Sequence, residues 1–110
     1  MDNSWQRIKS TVLQLLSDGA ADAGAAANAM QLVEFGDGRY RPPAEVGPGY
    51  GPTIRFSWNI EPDPIEIEVF PDSFEFYRFF DGRTELREMK HDPSGALPRE
   101  LVEILDPILR

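Results

Sequence analysis

Residues 65–80 read IEIEVFPDSFEFYRFF, and the fold turns on them. Isoleucine and valine alternate with glutamate over 65–69, aromatics crowd 74–80, and Pro71-Asp72-Ser73 stands between. Alternation with period two marks a strand with one side in a core, so the stretch predicts a tight antiparallel hairpin. Successive strand side chains point to opposite faces, which puts Ile65, Ile67 and Val69 on one side. If residues of like parity pair, Tyr77 and Phe79 join the isoleucines, while Phe70, Phe74, Phe76 and Phe80 lie with Glu66, Glu68 and Arg78. Opposite parity moves the phenylalanines to the isoleucine side and leaves Tyr77 and Phe79 outside. In both registers at least two large rings fall off the core side. At about 25 cal/mol per Å² and about 150–250 Å² per ring, covering two rings is worth several kcal/mol as an upper limit. The N-terminal helix, a second subunit or a partner protein are the candidates to cover them.

Working outward, Ile54, Phe56, Trp58 and Ile60 alternate with Arg55, Ser57, Asn59 and Glu61, which predicts a strand over 54–60. Glu61-Pro62-Asp63-Pro64 then turns the chain into strand 65–70. Asp81-Gly82 is a hairpin signal, because a type I′ turn needs positive φ at both central residues. It joins strand 74–80 to a last strand over 83–89. Short turns throughout make an antiparallel meander of four strands the simplest arrangement.

Before the strands, Trp5, Ile8, Val12, Leu15 and Leu16 form a helical stripe over 4–18, with Asn3 or Ser4 as its cap. Gly19 favours a break. Seven alanines in residues 20–29 predict a second helix over 21–35, with Ala23, Ala26, Met30 and Val33 on one face. Residues 36–53 hold five glycines and four prolines and read as a loop. They lead from a helix into a strand and lack the lysine of a phosphate-binding loop. Tyr40 and Tyr50 on this scaffold are candidates for an interaction surface. At the C-terminus, Leu97, Leu101, Ile104, Leu105 and Ile108 predict a helix over 98–106, ending or kinking before Pro107.

The 110 residues fit one domain. Acids outnumber bases 19 to 11, a net charge of −8 spread along the chain, and no basic patch is present. Such a surface repels phosphate backbones, which argues against nucleic-acid binding and for solubility or a basic partner. With no cysteine, disulfides, thiolate catalysis and cysteine-held metals are excluded. No run is long enough to span a bilayer and no signal segment is evident, so a soluble, cytoplasmic protein without membrane association is expected.

Chemistry-bearing residues are sparse. His91 is the one histidine and is followed by Asp92, but an adjacent aspartate seldom orients an imidazole and no nucleophile accompanies it; a solvated turn is the simpler expectation. Asp63, Glu66, Glu68 and Asp72 lack the loop spacing of a calcium site. No cofactor, metal or catalytic residue is therefore expected.

The alanine-rich helix, the Pro/Gly loop, the strand I-x-F-x-W and the run I-E-I-E-V-F-P-D before an aromatic strand occupy residues 23–89. Together they resemble small bacterial proteins of uncharacterised function that read L-x-W, then L-x-I-E-I-x-P-D-G, then an aromatic strand. Ser73 stands where the turn glycine would be. The resemblance implies an α+β fold and a bacterial origin, and it transfers no catalytic residue.

The expectation is an α+β fold with helices packed at one face of a meander, or around it, acting as a non-enzymatic interaction protein. An antitoxin- or immunity-like partner or a homodimer would be held through Phe70, Phe74, Phe76, Tyr77, Arg78, Phe79, Tyr40 and Tyr50. The alternatives are a small hydrolase or metal-dependent enzyme using His91 with nearby carboxylates, and an acidic mimic of nucleic acid.

Overall fold

A computed structural model describes residues 4–110. The elements follow the order α1 (Ser4–Ser17), α2 (Ala23–Gly36), β1 (Glu45–Pro48), β2 (Ile54–Trp58), β3 (Ile65–Val69), β4 (Ser73–Phe80), β5 (Arg83–Lys90) and α3 (Arg99–Leu109). The strands form one sheet in sequence order, each antiparallel to its neighbours. This is an α+β meander with helices at both chain ends.

The sheet has five strands where four were expected. Glu45–Pro48 pairs with β2, with Val46 opposite Phe56 and Pro48 opposite Ile54. Its sequence hides it: one apolar residue beside glycine and proline carries no strand signal. An edge strand accepts proline because its missing N–H has no neighbour to serve.

The register of the central hairpin resolves the question of parity. Ile67 stands opposite Phe76 and Val69 opposite Phe74, so Phe74 and Phe76 join the isoleucines. Ile54, Phe56 and Trp58 oppose Val69, Ile67 and Ile65. These residues and Met89 are the sheet's whole contribution to the buried core, and all share one face. Upon it pack Trp5, Ile8 and Val12 of α1, Ala26, Ala29, Leu32 and Val33 of α2, and Leu101, Leu105 and Leu109 of α3. Each large apolar side chain buried this way contributes about 1.5–3 kcal/mol.

Helix boundaries follow local chemistry. Gly19, at φ +75°, separates α1 from α2, and the Asp22 carboxylate accepts the Gly24 N–H at 2.7 Å as the α2 cap. Asn3, proposed as a cap for α1, lies outside the described residues. Of the α2 face expected inward, Ala26 and Val33 are buried and Met30 packs against the core, while Ala23 is exposed; Ala25, Asn28, Ala29, Leu32 and Gly36 complete the buried side. Asp81 and Gly82 both have positive φ, as a type I′ turn requires.

α3 continues through Pro107 instead of stopping at Asp106. Proline this close to a helix end removes one intrahelical bond, to the Glu103 carbonyl. The last turn is held by burial of Leu109 and by the Arg41 N–H donating to the Leu109 carbonyl at 3.0 Å.

The bend 36–41 ties these layers together. Trp5 Nε1 donates to the Tyr40 carbonyl at 2.9 Å and Trp58 Nε1 to the Arg41 carbonyl at 3.0 Å. The Tyr40 hydroxyl donates to Asp106 of α3 at 2.6 Å. Burial, followed by this bond, pushes the Tyr40 phenol well above its usual range. Tyr40 is thus a core residue joining α1, α2 and α3, and it is not part of a surface.

Candidate functional site

The face of the sheet away from the core carries Arg55 and Ser57 of β2, Glu66 and Glu68 of β3, Glu75, Tyr77 and Phe79 of β4, and Thr84, Leu86 and Glu88 of β5. Strand alternation places them there, because their neighbours all point into the core. Two features distinguish this outer face.

The first is aromatic. Tyr77 and Phe79 stack with centroids 6.3 Å apart and planes within 5° of parallel. Leu86 stands opposite Tyr77 and is 54% exposed. The Tyr77 hydroxyl donates to Glu75 Oε1 at 2.6 Å. Burial and then this bond push the phenol well above its ordinary value, with Glu68 and Tyr50 adding to the shift.

The second is a row of like charge. Glu68 of β3 stands opposite Glu75 of β4, and Glu75 opposite Glu88 of β5. Like charges directly opposed across strands are destabilising. Arg55 opposes the Glu68 end of the row.

One end of the outer face is closed by the Gly/Pro loop. Glu68 is buried and accepts from the Thr53 hydroxyl at 2.6 Å and the Tyr50 N–H at 3.3 Å. A Cβ at Gly49 would collide with Thr53 Oγ1 and come within 2.7 Å of Glu68 Oε2, so the loop approaches this closely only with glycine there. Tyr50 is 87% exposed and carries the Arg55 guanidinium 5.8 Å from its ring centroid. Arg55 also reaches Glu66 at 4.0 Å.

The expected surface residues therefore separate. Tyr77, Phe79 and the Tyr50 ring lie together with Glu66, Glu75 and Leu86 on the outer side. Phe74 and Phe76 are fully buried in the core and, like Tyr40, are removed from the surface. Arg78 points to the core side at the far end of β4, over the Phe76 ring at 5.8 Å and 3.9 Å from Glu85, so it does not rim the Tyr77–Phe79 patch. Phe70 is half-buried in the β3–β4 turn, where its carbonyl accepts from Asn28 at 2.8 Å. Leu86 and the glutamate row were missed, since cross-strand neighbours follow from register and not from adjacency in the chain.

His91 is not a solvated turn residue. It is buried, tilted 5.1 Å from the Phe74 ring, with Nε2 2.6 Å from Gln31 Oε1 of α2 and its backbone N–H donated to Asp72. Burial pushes the imidazole below its ordinary value, while the neighbouring Asp92 carboxylate draws it partway back. The acids weighed as a cation site are dispersed: Glu66 pairs with Arg55, Glu68 holds the loop, and Asp63 lines a hollow of about 160 Å³ with Ile60, Ile65, Arg78 and Ile108. Among the described residues no group of three or more His, Asp or Glu could hold a metal ion, and no helix is long and apolar enough to cross a membrane.

No protein-family profile, curated protein or solved structure matches the chain.

Proposed function

We propose that this chain is a non-enzymatic protein-interaction module that takes a basic partner on the outer face of its sheet. The observation that carries the reading is the pairing of stacked Tyr77 and Phe79 rings outside the core with the opposed carboxylates of Glu75 and Glu88. In the isolated chain the opposed carboxylates work against folding, and the stacked rings are left only half-buried. Lysine and arginine side chains laid on that face would reverse both: a guanidinium packs on an aromatic ring and donates to carboxylates. The face already holds one such arrangement within the chain, with Arg55 over Tyr50 and beside Glu66. The net charge of −8 would draw a basic partner in and set its orientation. Pairing with a basic protein in the manner of an antitoxin or immunity protein is the concrete form of this function.

The test is an arginine-rich peptide titrated into the labelled chain at low salt, read by chemical-shift changes. Changes concentrated at Tyr77, Phe79, Leu86 and Glu75, weakened by added salt and lost in Tyr77→Ser/Phe79→Ser, support the reading. Changes elsewhere, or binding indifferent to the double substitution, refute it.

A further inference from the structure

The two edges of the sheet are treated differently. β1 is short, contains Gly47, ends at Pro48 and packs against α1. These are devices that keep an edge from pairing with another chain. β5 has none of these and carries only one other edge device, its charged side chains, which are of both signs. It runs eight residues from Arg83 to Lys90 without proline or glycine, and most of its side chains are exposed.

Its backbone polarity follows from two bonds. Phe79 donates its N–H to Pro64 on the β3 side, and His91 donates its N–H to Asp72 on the β4 side. In antiparallel pairing the backbone groups of alternate residues turn to alternate neighbours. Odd-numbered residues of β5 therefore face β4, while Thr84, Leu86, Glu88 and Lys90 present their N–H and C=O groups to the free edge.

We propose that β5 pairs with β5 of a second copy about a twofold axis at Leu86, joining two sheets into one. Only edge-facing residues can bond one another, so an even-numbered residue must oppose an even-numbered one. Among such antiparallel registers with substantial overlap, centring on Glu85, Arg87 or Glu88 sets each of those charges against its own copy. Centring on Leu86 opposes leucine to leucine, Glu85 to the partner's Arg87 and Thr84 to the partner's Glu88. Centring on Thr84 or Met89 also opposes unlike charges, but over only three residues of the strand; among the longer overlaps the charge pattern is self-complementary at Leu86 alone. In the single chain Glu85 already lies 3.2 Å from Arg87, and Arg87 3.3 Å from Glu100 of α3, so both side chains are held on the core side of the sheet where their partners would meet them. Because the axis is perpendicular to the sheet, the outer faces of the two copies become continuous across the Leu86 pair. The inference rests on the edge of β5 and stands apart from what docks on the outer face.

Sedimentation equilibrium of the full chain from micromolar to millimolar concentration tests it. A monomer–dimer equilibrium is expected, with Glu85→Arg weakening the dimer about tenfold or more by setting arginine against arginine. Glu85→Arg/Arg87→Glu should restore it. Leu86→Pro should abolish it with the monomer fold intact by circular dichroism, because the Leu86 N–H serves no bond within the chain. A monomer at every concentration overturns the proposal. So does a dimer that survives Leu86→Pro or ignores Glu85→Arg, and failure of the double reversal to restore association overturns this register.

Discussion

Tyr77 and Phe79 lie two positions apart on β4 with parallel rings, on the side of the sheet opposite Phe74 and Phe76 of the same strand. One strand thus carries two aromatic pairs with opposite roles. Phe76→Ala, which empties a fully buried site, should cost about 3–5 kcal/mol. Phe79→Ala should cost about 1 kcal/mol or less, since its ring is partly hydrated already. Urea denaturation of the two variants checks the contrast, and equal losses would mean that the outer face is covered.

Replacing the exposed member of the glutamate row, Glu88, should raise stability. Glu88→Lys places a cation opposite Glu75 and removes a like-charge contact, for a gain of about 0.2–1 kcal/mol. The same substitution should weaken binding of an arginine-rich peptide. A variant that is both more stable and less able to bind is the expected pairing, read by thermal denaturation and calorimetry.

The Gly/Pro loop depends on the buried carboxylate of Glu68. Glu68→Ala leaves the Thr53 hydroxyl without its acceptor in a buried site and should cost about 1–3 kcal/mol. Hydrogen exchange at the Tyr50 amide, which also donates to Glu68, should speed up in the variant.

Gly36 packs its backbone against the Trp5 indole, and a Cβ there would come within 2.7 Å of two ring carbons. Gly36→Ala should therefore destabilise the chain by about 1–3 kcal/mol, although alanine is the better helix former. A lowered urea midpoint with unchanged slope is the expected reading.

The single histidine permits a clean titration. Its folded-state value lies below the free value of 6.5, so between the two the unfolded chain binds a proton that the folded chain does not. Stability should be level with respect to this group above about pH 6.5 and fall as the pH drops below it. The imidazole resonances should titrate with a midpoint below 6.5, and His91→Gln should flatten that part of the stability profile.

Most of the architecture was legible in the sequence because the hydrophobic period announces it. The alternation from Ile54 to Val69, the Asp81-Gly82 turn and the break at Gly19 each act through a few adjacent residues. What could not be read depends on partners distant in the chain. β1 is a strand only because β2 lies beside it. His91 is buried because Gln31 and Phe74 meet over it. The candidate surface was half legible: alternation required that some rings be left out, and only the register decided that they are Tyr77 and Phe79 and not Phe74 and Phe76.

The bend 36–41 has a spectroscopic consequence. Both tryptophans of the described chain are sealed from water, and each indole N–H is bonded to a carbonyl of that one bend, Trp5 to Tyr40 and Trp58 to Arg41. Native emission should accordingly sit at short wavelength. A red shift would report, without any added label, that the bend has parted from α1 and from the sheet, so the molecule carries its own gauge of whether its layers remain joined.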